Sequence, residues 1–493
     1  MTVDLIVVGA GSAGAPIATR ASERRDLSVL LVEAGPDYHG TGPLPGDLRD
    51  GSRNSFRAHD WGYVHRPCAG QVLFPLPRGR VVGGSSAVNT CIALRGQPYD
   101  YDEWGFPEWT WEACLPAFKR LETDLDVHDE WHGDSGPIPI RRHTPGELVR
   151  WQAAFLDACD RAGHPACADT NNPTTTGAGP HAMNKVRGER MSAARYLDAS
   201  VRARENFRLS PNTIVHKVRV RAGRVEGLDL ERDGRREFVA ARTVVLSAGA
   251  IATPGILLRS GIGPRAAVER MGAELIVESP SVGARLLDHP GAAFFLLPRR
   301  GICDTRDPII QTCLRLSFEQ PNDVILQPGS FVSLPMGRNL PFVSMMVAIG
   351  KPRGHGWIEY LSPDPRARPR IHSAILHHAA DRAQAVEGLQ IGYDIIRRSE
   401  MSKLARFLWP SEGVLGRRAS LDRWIRYICD SGYHPCGTVP MGTAVDARGR
   451  VPGIEGLLVA DASILPTIPS ANINLTTLMI GERFGAWLRD GAL

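Results

Sequence analysis

Short apolar runs that break at glycine-rich turns set the pattern of this chain. Leu5-Ile6-Val7-Val8 is continuous and apolar, as expected for a strand buried on both faces. It enters Gly9-Ala10-Gly11-Ser12-Ala13-Gly14, and helix-compatible residues follow to about Glu23. Val29-Leu30-Leu31-Val32 repeats the apolar run and ends at Glu33-Ala34. A third run, Val244-Val245-Leu246, leads into the small residues Ser247-Ala248-Gly249-Ala250. Phe342 to Ile349 reads as a strand of another kind, within a sheet later in the chain. Residues 172–180 and 363–369, rich in Pro and Gly, read as surface connections. No internal repeat or low-complexity tract is present.

The first two runs and the turn between them predict a βαβ unit with an acidic residue about 20 positions beyond the glycines. Gly9 permits the tight turn, Gly11 admits a pyrophosphate, and Gly14 lets helix and strand pack closely. The helix N-terminus faces the phosphates, and the Glu33 carboxylate is placed to accept from a ribose hydroxyl. Residues 79–93 add a second ligand-facing element, Gly-Arg-Val-Val-Gly-Gly-Ser-Ser-Ala-Val-Asn-Thr-Cys-Ile-Ala. Its Gly-Gly-Ser-Ser run brings bare N–H groups and short hydroxyls together with little bulk, a surface that can press flat on a planar ligand. Together with the small residues around Gly249, this suits a large, permanently held cofactor, FAD rather than NAD.

Composition narrows the picture without directing it. A chain of 493 residues predicts two domains or one composite domain. A net charge of +5 is dispersed over 58 basic and 53 acidic residues with no basic block, so nucleic-acid binding is not supported. Nine cysteines lack a CxxC pair, which predicts reduced, mostly buried thiols in a cytoplasmic protein. No run is long and apolar enough for a transmembrane segment. His372, His377 and His378 lack a supporting ligand pattern, so no metal is expected.

In its motifs the chain resembles the glucose–methanol–choline (GMC) family of FAD-dependent oxidoreductases. One family signature matches from Gly79 through Asn89 to about Asp102, and a second matches Gly249 to Gly263. Leu287-Asp288-His289-Pro290 resembles the family's Asp-His-Pro turn. The last third carries Tyr433-His434-Pro435-Cys436-Gly437-Thr438, then Val459-Ala460-Asp461-Ala462-Ser463, then Asn472-Ile473-Asn474-Leu475-Thr476-Thr477. The resemblance implies an α/β fold: a Rossmann-like FAD-binding domain and a discontinuous α+β substrate-binding domain built on an antiparallel sheet. FAD-domain segments are expected at 1–40, 75–100, 190–290 and 430–493. The substrate side is expected at 101–189 and 291–429, with 41–74 as a connecting or lid segment. Besides Gly9, Gly11, Ser12, Ala13, Gly14, Glu33 and Ala34, the resemblance implies cofactor contacts from Arg80, Val82, Gly84, Ser85, Asn89, Thr90, Cys91 and Ile92. It adds Val215, Ala248, Gly249, Asp461, Ala462, Asn472, Asn474, Leu475 and Thr476. Some members hold FAD covalently through a histidine just before the loop asparagine. Here that position is Val88, so the expected FAD is non-covalent.

Oxidising an alcohol requires removal of its hydroxyl proton and of a hydride from the same carbon, the latter to flavin N5. An imidazole is well matched to the proton. By resemblance His434 is that general base, and Asn474 is the second catalytic residue, an amide that positions the alcohol. Asn89 either lines the flavin or holds its own loop. Cys436 reads as a small buried hydrophobe, and Trp104, Trp109 and Trp111 as packing. The expected reaction is oxidation of a small or medium-sized primary alcohol to an aldehyde. A hydroxynitrile lyase-like flavoprotein with a redox-silent FAD, a dehydrogenase reoxidising a mycofactocin-type cofactor, and a catalytically idle binding protein are the alternatives. The electron acceptor (oxygen or another carrier) and the oligomeric state stay open.

Overall fold

The computed structural model describes residues 2–40, 42–55, 58–67, 72–334 and 338–493. Parts of the expected connecting segment, at 41, 56, 57 and 68–71, lie outside the described residues.

The apolar runs form strands where their pattern predicts. β1 (Val3–Val8), α1 (Gly14–Ala21) and β2 (Val29–Val32) make the βαβ unit. The sheet is completed by β3 (Phe207–Ser210), β4 (Thr213–Arg221), β5 (Arg224–Arg232), β6 (Arg235–Leu246) and β7 (Leu457–Val459). Its order is β3-β2-β1-β6-β5-β4, with β7 also on β6. β6 serves two partnerships along its length. Arg235 to Ala240 pair with β5 antiparallel, whereas Ala241 to Leu246 pair with β1 in parallel, and Val244 to Leu246 also pair with β7 in parallel. The register sets Val8 opposite Leu246, so the turns at Gly9 and Ser247 leave the sheet side by side. Beyond them start α1 and α2 (Gly249–Arg259), and α3 (Ile473–Arg489) lies on α1. A β-carbon on Gly481 would meet the Ala13 carbonyl oxygen at 2.5 Å, so the two helices touch backbone to backbone.

A second, antiparallel sheet carries its own core. Its strands run Ala405–Trp409, Pro290–Pro298, Val343–Ile349, Val324–Gly329, Thr312–Leu316 and Gly177–Pro180 in that order, and Asp430–Ser431 pairs on Pro290 and Gly291. The helix Ala379–Arg397 covers one face. Its Gly388 and Gly392 let Val347 and Met345 seat against the helix, where a β-carbon would stand 2.6 Å and 2.8 Å from their side chains. Met345 is thus core. His378 caps that helix by accepting from Ala380 N, and His372 stacks on Trp357 with centroids 4.6 Å apart.

Tyr101, Trp104, Trp109, Trp111 and Phe118 are buried in the first core, not the second. The helix Trp111–Leu121 packs on α3, and Trp109 Nε1 donates to Ala447 O at 2.7 Å. Large aromatic faces reach α3 here, which outweighs chain proximity to the antiparallel sheet. The described cysteines are buried, apart from the half-buried Cys303. No helix among the described residues is long and apolar enough to cross a membrane.

Below these tryptophans Glu122, Asp124 and Asp169 face Arg95, Arg142 and His132. Glu122, Asp124 and His132 alone resemble a metal site, with ligand atoms within 4.8 Å of one another. Arg95 and Arg142 already neutralise those carboxylates. Burial disfavours charge on His132, but hydrogen bonds to Asp124, Asp169 and Glu122 outweigh it and push its pKa up to about 10. A pKa raised on folding stabilises fully below the unfolded value and is lost as pH rises through the folded one. Unfolding free energy is therefore expected to decline between pH 6.5 and about 10. His132→Gln should lose that slope and about 3–5 kcal/mol at neutral pH, read by denaturant titration.

Candidate active site

An elongated cavity of about 270 Å³ runs from the βαβ turn to the Tyr433-His434 turn. Its floor depends on contacts that exclude side chains. A β-carbon on Gly14 would fall 1.8 Å from Gly9 O, one on Gly9 2.5 Å from Ser247 O, and one on Gly84 2.7 Å from Gly11 Cα. Two glycines behave differently. Gly249 has φ +84° and nothing within 4 Å of its β-carbon direction, and Gly11 meets only Gly84 Cα at 3.7 Å. Both line the cavity, so a β-carbon at either would project into cofactor space.

Polar groups along this wall are placed by the backbone. Glu33 Oε2 accepts from Ala10 N at 2.9 Å and Oε1 from Gly35 N at 2.8 Å. Burial, opposed by these N–H groups, raises its pKa to about 7. Asp461 Oδ2 accepts from Gly249 N at 2.8 Å and Oδ1 from Ser463 N at 2.7 Å, which sets the start of α2. Asn89 both lines the cavity and holds its loop, its Oδ1 accepting from Cys91 N at 3.0 Å. Asn474 Oδ1 accepts from Ser12 Oγ at 2.8 Å, while its buried Nδ2 has no partner among the described residues. That orphaned donor on a glycine-floored wall fits a flat dinucleotide cofactor with acceptor atoms.

The chemical end is built by two turns laced together. Leu287 N donates to Cys436 O and Cys436 N to Leu287 O; Gly432 N donates to His289 O at 2.7 Å, and His434 N to Asp288 Oδ1 at 2.9 Å. Arg78 Nη2 donates to Tyr433 O at 2.7 Å, and Tyr433 takes φ 63°. These bonds aim the His434 ring. Burial, reinforced by His289 and Arg78, holds the His434 pKa well below its ordinary range, so the ring is neutral.

Hydrogen-bond logic then assigns its protons. His289 Nε2 faces two carbonyls, Pro469 O at 2.8 Å and Gly350 O at 3.1 Å, and therefore carries the N–H. Burial lowers the His289 pKa to about 4, leaving Nδ1 as an acceptor. His434 Nδ1, 2.9 Å away, must donate to it. The lone pair of His434 is thus on Nε2, where Asn472 Nδ2 donates at 3.0 Å. Such an imidazole can accept a hydroxyl proton, and the adjacent amide can donate to the oxygen that loses it.

Of the sequence-derived positions, Gly9, Gly11, Ser12, Ala13, Glu33, Ala34, Gly84, Ser85, Asn89, Thr90, Ile92, Val215, Ala248, Gly249, Asp461, Ala462, Asn472, Asn474 and His434 line the cavity. Gly14, Arg80, Val82, Cys91, Leu475 and Thr476 do not. Gly14 packs on Gly9, Arg80 lies over the Trp61 ring, and Val82 and Leu475 are core. Cys91 is fully buried in an apolar cluster, and Thr476 Oγ1 bonds Tyr101 OH at 2.9 Å. His434 shares its hydrogen bond with Asn472, whereas Asn474 bonds Ser12. Thr213 and Arg78 line the cavity without having been singled out. Arg78 stands one residue before the quoted signature, which begins at Gly79, and Thr213 offered no signal in the sequence.

Comparison with known proteins gives the family. The family models described as GMC oxidoreductase match residues 3–291 and 352–481. The chain is 34% identical to 5-(hydroxymethyl)furfural oxidase of Methylovorus sp. (strain MP688), covering 97% of each. It is 30% identical to an oxygen-dependent choline dehydrogenase of Vibrio vulnificus (strain YJ016), covering 97% of this chain and 93% of that one. The crystal structure of pyridoxine 4-oxidase from Mesorbium loti superposes with a TM-score of 0.90 at 29% identity, covering 98% of each chain. The chain belongs to the GMC oxidoreductase family, FAD-dependent flavoproteins that oxidise alcohol CH–OH groups.

Proposed function

We propose that this protein oxidises an uncharged primary alcohol to an aldehyde, with His434 as general base and Asn472 as the amide that holds the substrate oxygen. The observation that carries the reading is the proton assignment at His434: a neutral ring, Nδ1–H fixed by His289, and the Nε2 lone pair beside Asn472 Nδ2. Gly11, Ser12, Glu33, Gly249 and Asn474 would hold FAD, which would supply the hydride acceptor when bound. On binding, the alcohol O–H takes the Nε2 lone pair in place of Asn472 Nδ2 and that amide turns to donate to the alcohol oxygen; oriented contacts of this kind lower the barrier by fixing the reactive pose. His289 is a positioning residue that keeps the base in its working tautomer.

The charge on the wall favours an uncharged substrate. Its carboxylates among the described residues are Glu33 and Asp461, both already bonded to backbone N–H groups, whereas Arg78 and Arg259 add positive charge. A quaternary ammonium substrate calls for an aromatic cage and a free carboxylate. The relative named for 5-(hydroxymethyl)furfural points the same way, since that compound is a neutral primary alcohol. Non-covalent FAD follows from Val88, a buried cavity-lining side chain with no nucleophile.

The tests use anaerobic bleaching of the yellow holoenzyme by a panel of alcohols. His434→Ala is expected to slow bleaching by about 10²–10⁴-fold with FAD content unchanged. Asn472→Ala should slow it by about 10²-fold, whereas Asn474→Ala should chiefly weaken FAD retention. Equal bleaching by wild type and Asn472→Ala would return the second role to Asn474. Because protonation removes the base and its pKa is depressed, the acid limb of the rate profile is expected below pH 6.5; a limb above that value would contradict a desolvated His434. Acid precipitation should leave the colour in the supernatant, and colour retained by the pellet would demonstrate a covalent link.

A further inference from the structure

A second cavity, of about 240 Å³, shares no wall residue with the first; Ser52, Arg141, His143, Lys185, Arg187 and Gln311 stand around it. It lies behind the cofactor loop, where Ile92 bridges to Met183 and Asn184 N donates to Cys91 O at 2.9 Å. Lys185 opens the hairpin Lys185–Val186/Glu189–Arg190 and is only 5% exposed. Its Nζ has no hydrogen-bond partner among the described residues.

Carboxylates within electrostatic reach of that ammonium are already ion-paired, including Glu147, which itself stands on the cavity wall beside Arg141. Asp50 pairs with Arg53 at 2.9 Å, and both oxygens of Glu147 pair with Arg141, at 3.0 Å and 2.6 Å. Cys91, also nearby, is held as a neutral thiol by burial. Arg142 is spent on Asp124 and Asp169. A buried cation without a counter-charge is expensive, and burial accordingly lowers the Lys185 pKa. Other donors converge on the same space. His143 Nδ1 is buried without a partner, and burial together with Lys185 drops its pKa to about 4, which leaves a neutral ring able to donate. Arg187 is exposed on the wall and has no ion pair among the described residues.

We propose that this cavity binds a small oxyanion of the phosphate or carboxylate class, with Lys185 Nζ as its buried counter-charge, His143 as a neutral donor and Arg187 at the rim. Occupancy also bears on the cofactor loop. Arg190, cross-strand from Lys185, donates to Ala87 O and Asn89 O, so an anion that orders the hairpin braces the flavin cradle from behind.

Calorimetric titration of the holoenzyme at constant ionic strength, against chloride as background, tests the site. Inorganic phosphate and succinate are the two probes, and saturable binding of either identifies the class. Lys185→Met is expected to weaken binding by about 10–100-fold, the worth of a charge-assisted hydrogen bond. Arg187→Gln, at an exposed position, should weaken it by about threefold through loss of a rim charge. Absence of binding by both probes, or equal affinity in wild type and Lys185→Met, would overturn the proposal. Should Lys185→Met fail to retain FAD, the Arg187→Gln titration decides, and unchanged affinity there overturns it.

Discussion

A β-carbon at position 14 would lie 1.8 Å from the carbonyl oxygen of Gly9, and this forbidden contact organises the nucleotide half of the molecule. It lets α1 start directly over the end of β1, so that its first N–H groups face the cavity in place of a side chain. The same rule recurs in other close contacts of this half: Gly9 against Ser247, Gly84 against Gly11, and Gly481 against Ala13. Segments separated by hundreds of residues thus meet as bare backbone. Each such contact substitutes close dispersion for side-chain bulk, and the flat space left between them suits a planar ligand.

The His434 end of the cavity depends on the other sheet as well. His289 precedes the strand Pro290–Pro298, and its Nε2 proton is claimed by Gly350 O, just past the strand Val343–Ile349, and by Pro469 O, ahead of α3. The register that sets Gly291 opposite Ala348 brings the first of these carbonyls into place. Ser431 pairs on Pro290 and so delivers His434 to the same corner. The tautomer of His434 is therefore a property of the junction between the two layers. Neither layer alone supplies every partner in that chain of hydrogen bonds.

Legibility followed the physics of each element. Parallel strands buried on both faces read as continuous apolar runs, so β1, β2 and the end of β6 were visible, as was the glycine turn between the first two. That the aromatic segment at 101–121 packs in the first core was not legible, because an apolar face announces that it is buried but not against what. Asn472 and Asn474 illustrate a finer limit. α3 begins at Ile473, so Asn472 stands before the first turn and meets His434, while Asn474 is on that turn and meets Ser12. Successive helical positions rotate by about 100°, and two asparagines two residues apart face different neighbours. The buried lysine at 185 gave no sequence signal, since an unpaired ammonium differs from a solvated one only by its surroundings.

The amino-acid sequence by itself determined the nucleotide-binding unit, the family, the cofactor and the identity of the histidine turn. These are local patterns of residue type and spacing, and local patterns survive being read in one dimension. Tertiary structure alone decided which asparagine meets that histidine, which nitrogen holds its lone pair, and where charge is left without a partner. Those depend on contacts between segments as far apart as His289 and His434, set by strand register and helix phase rather than by distance along the chain.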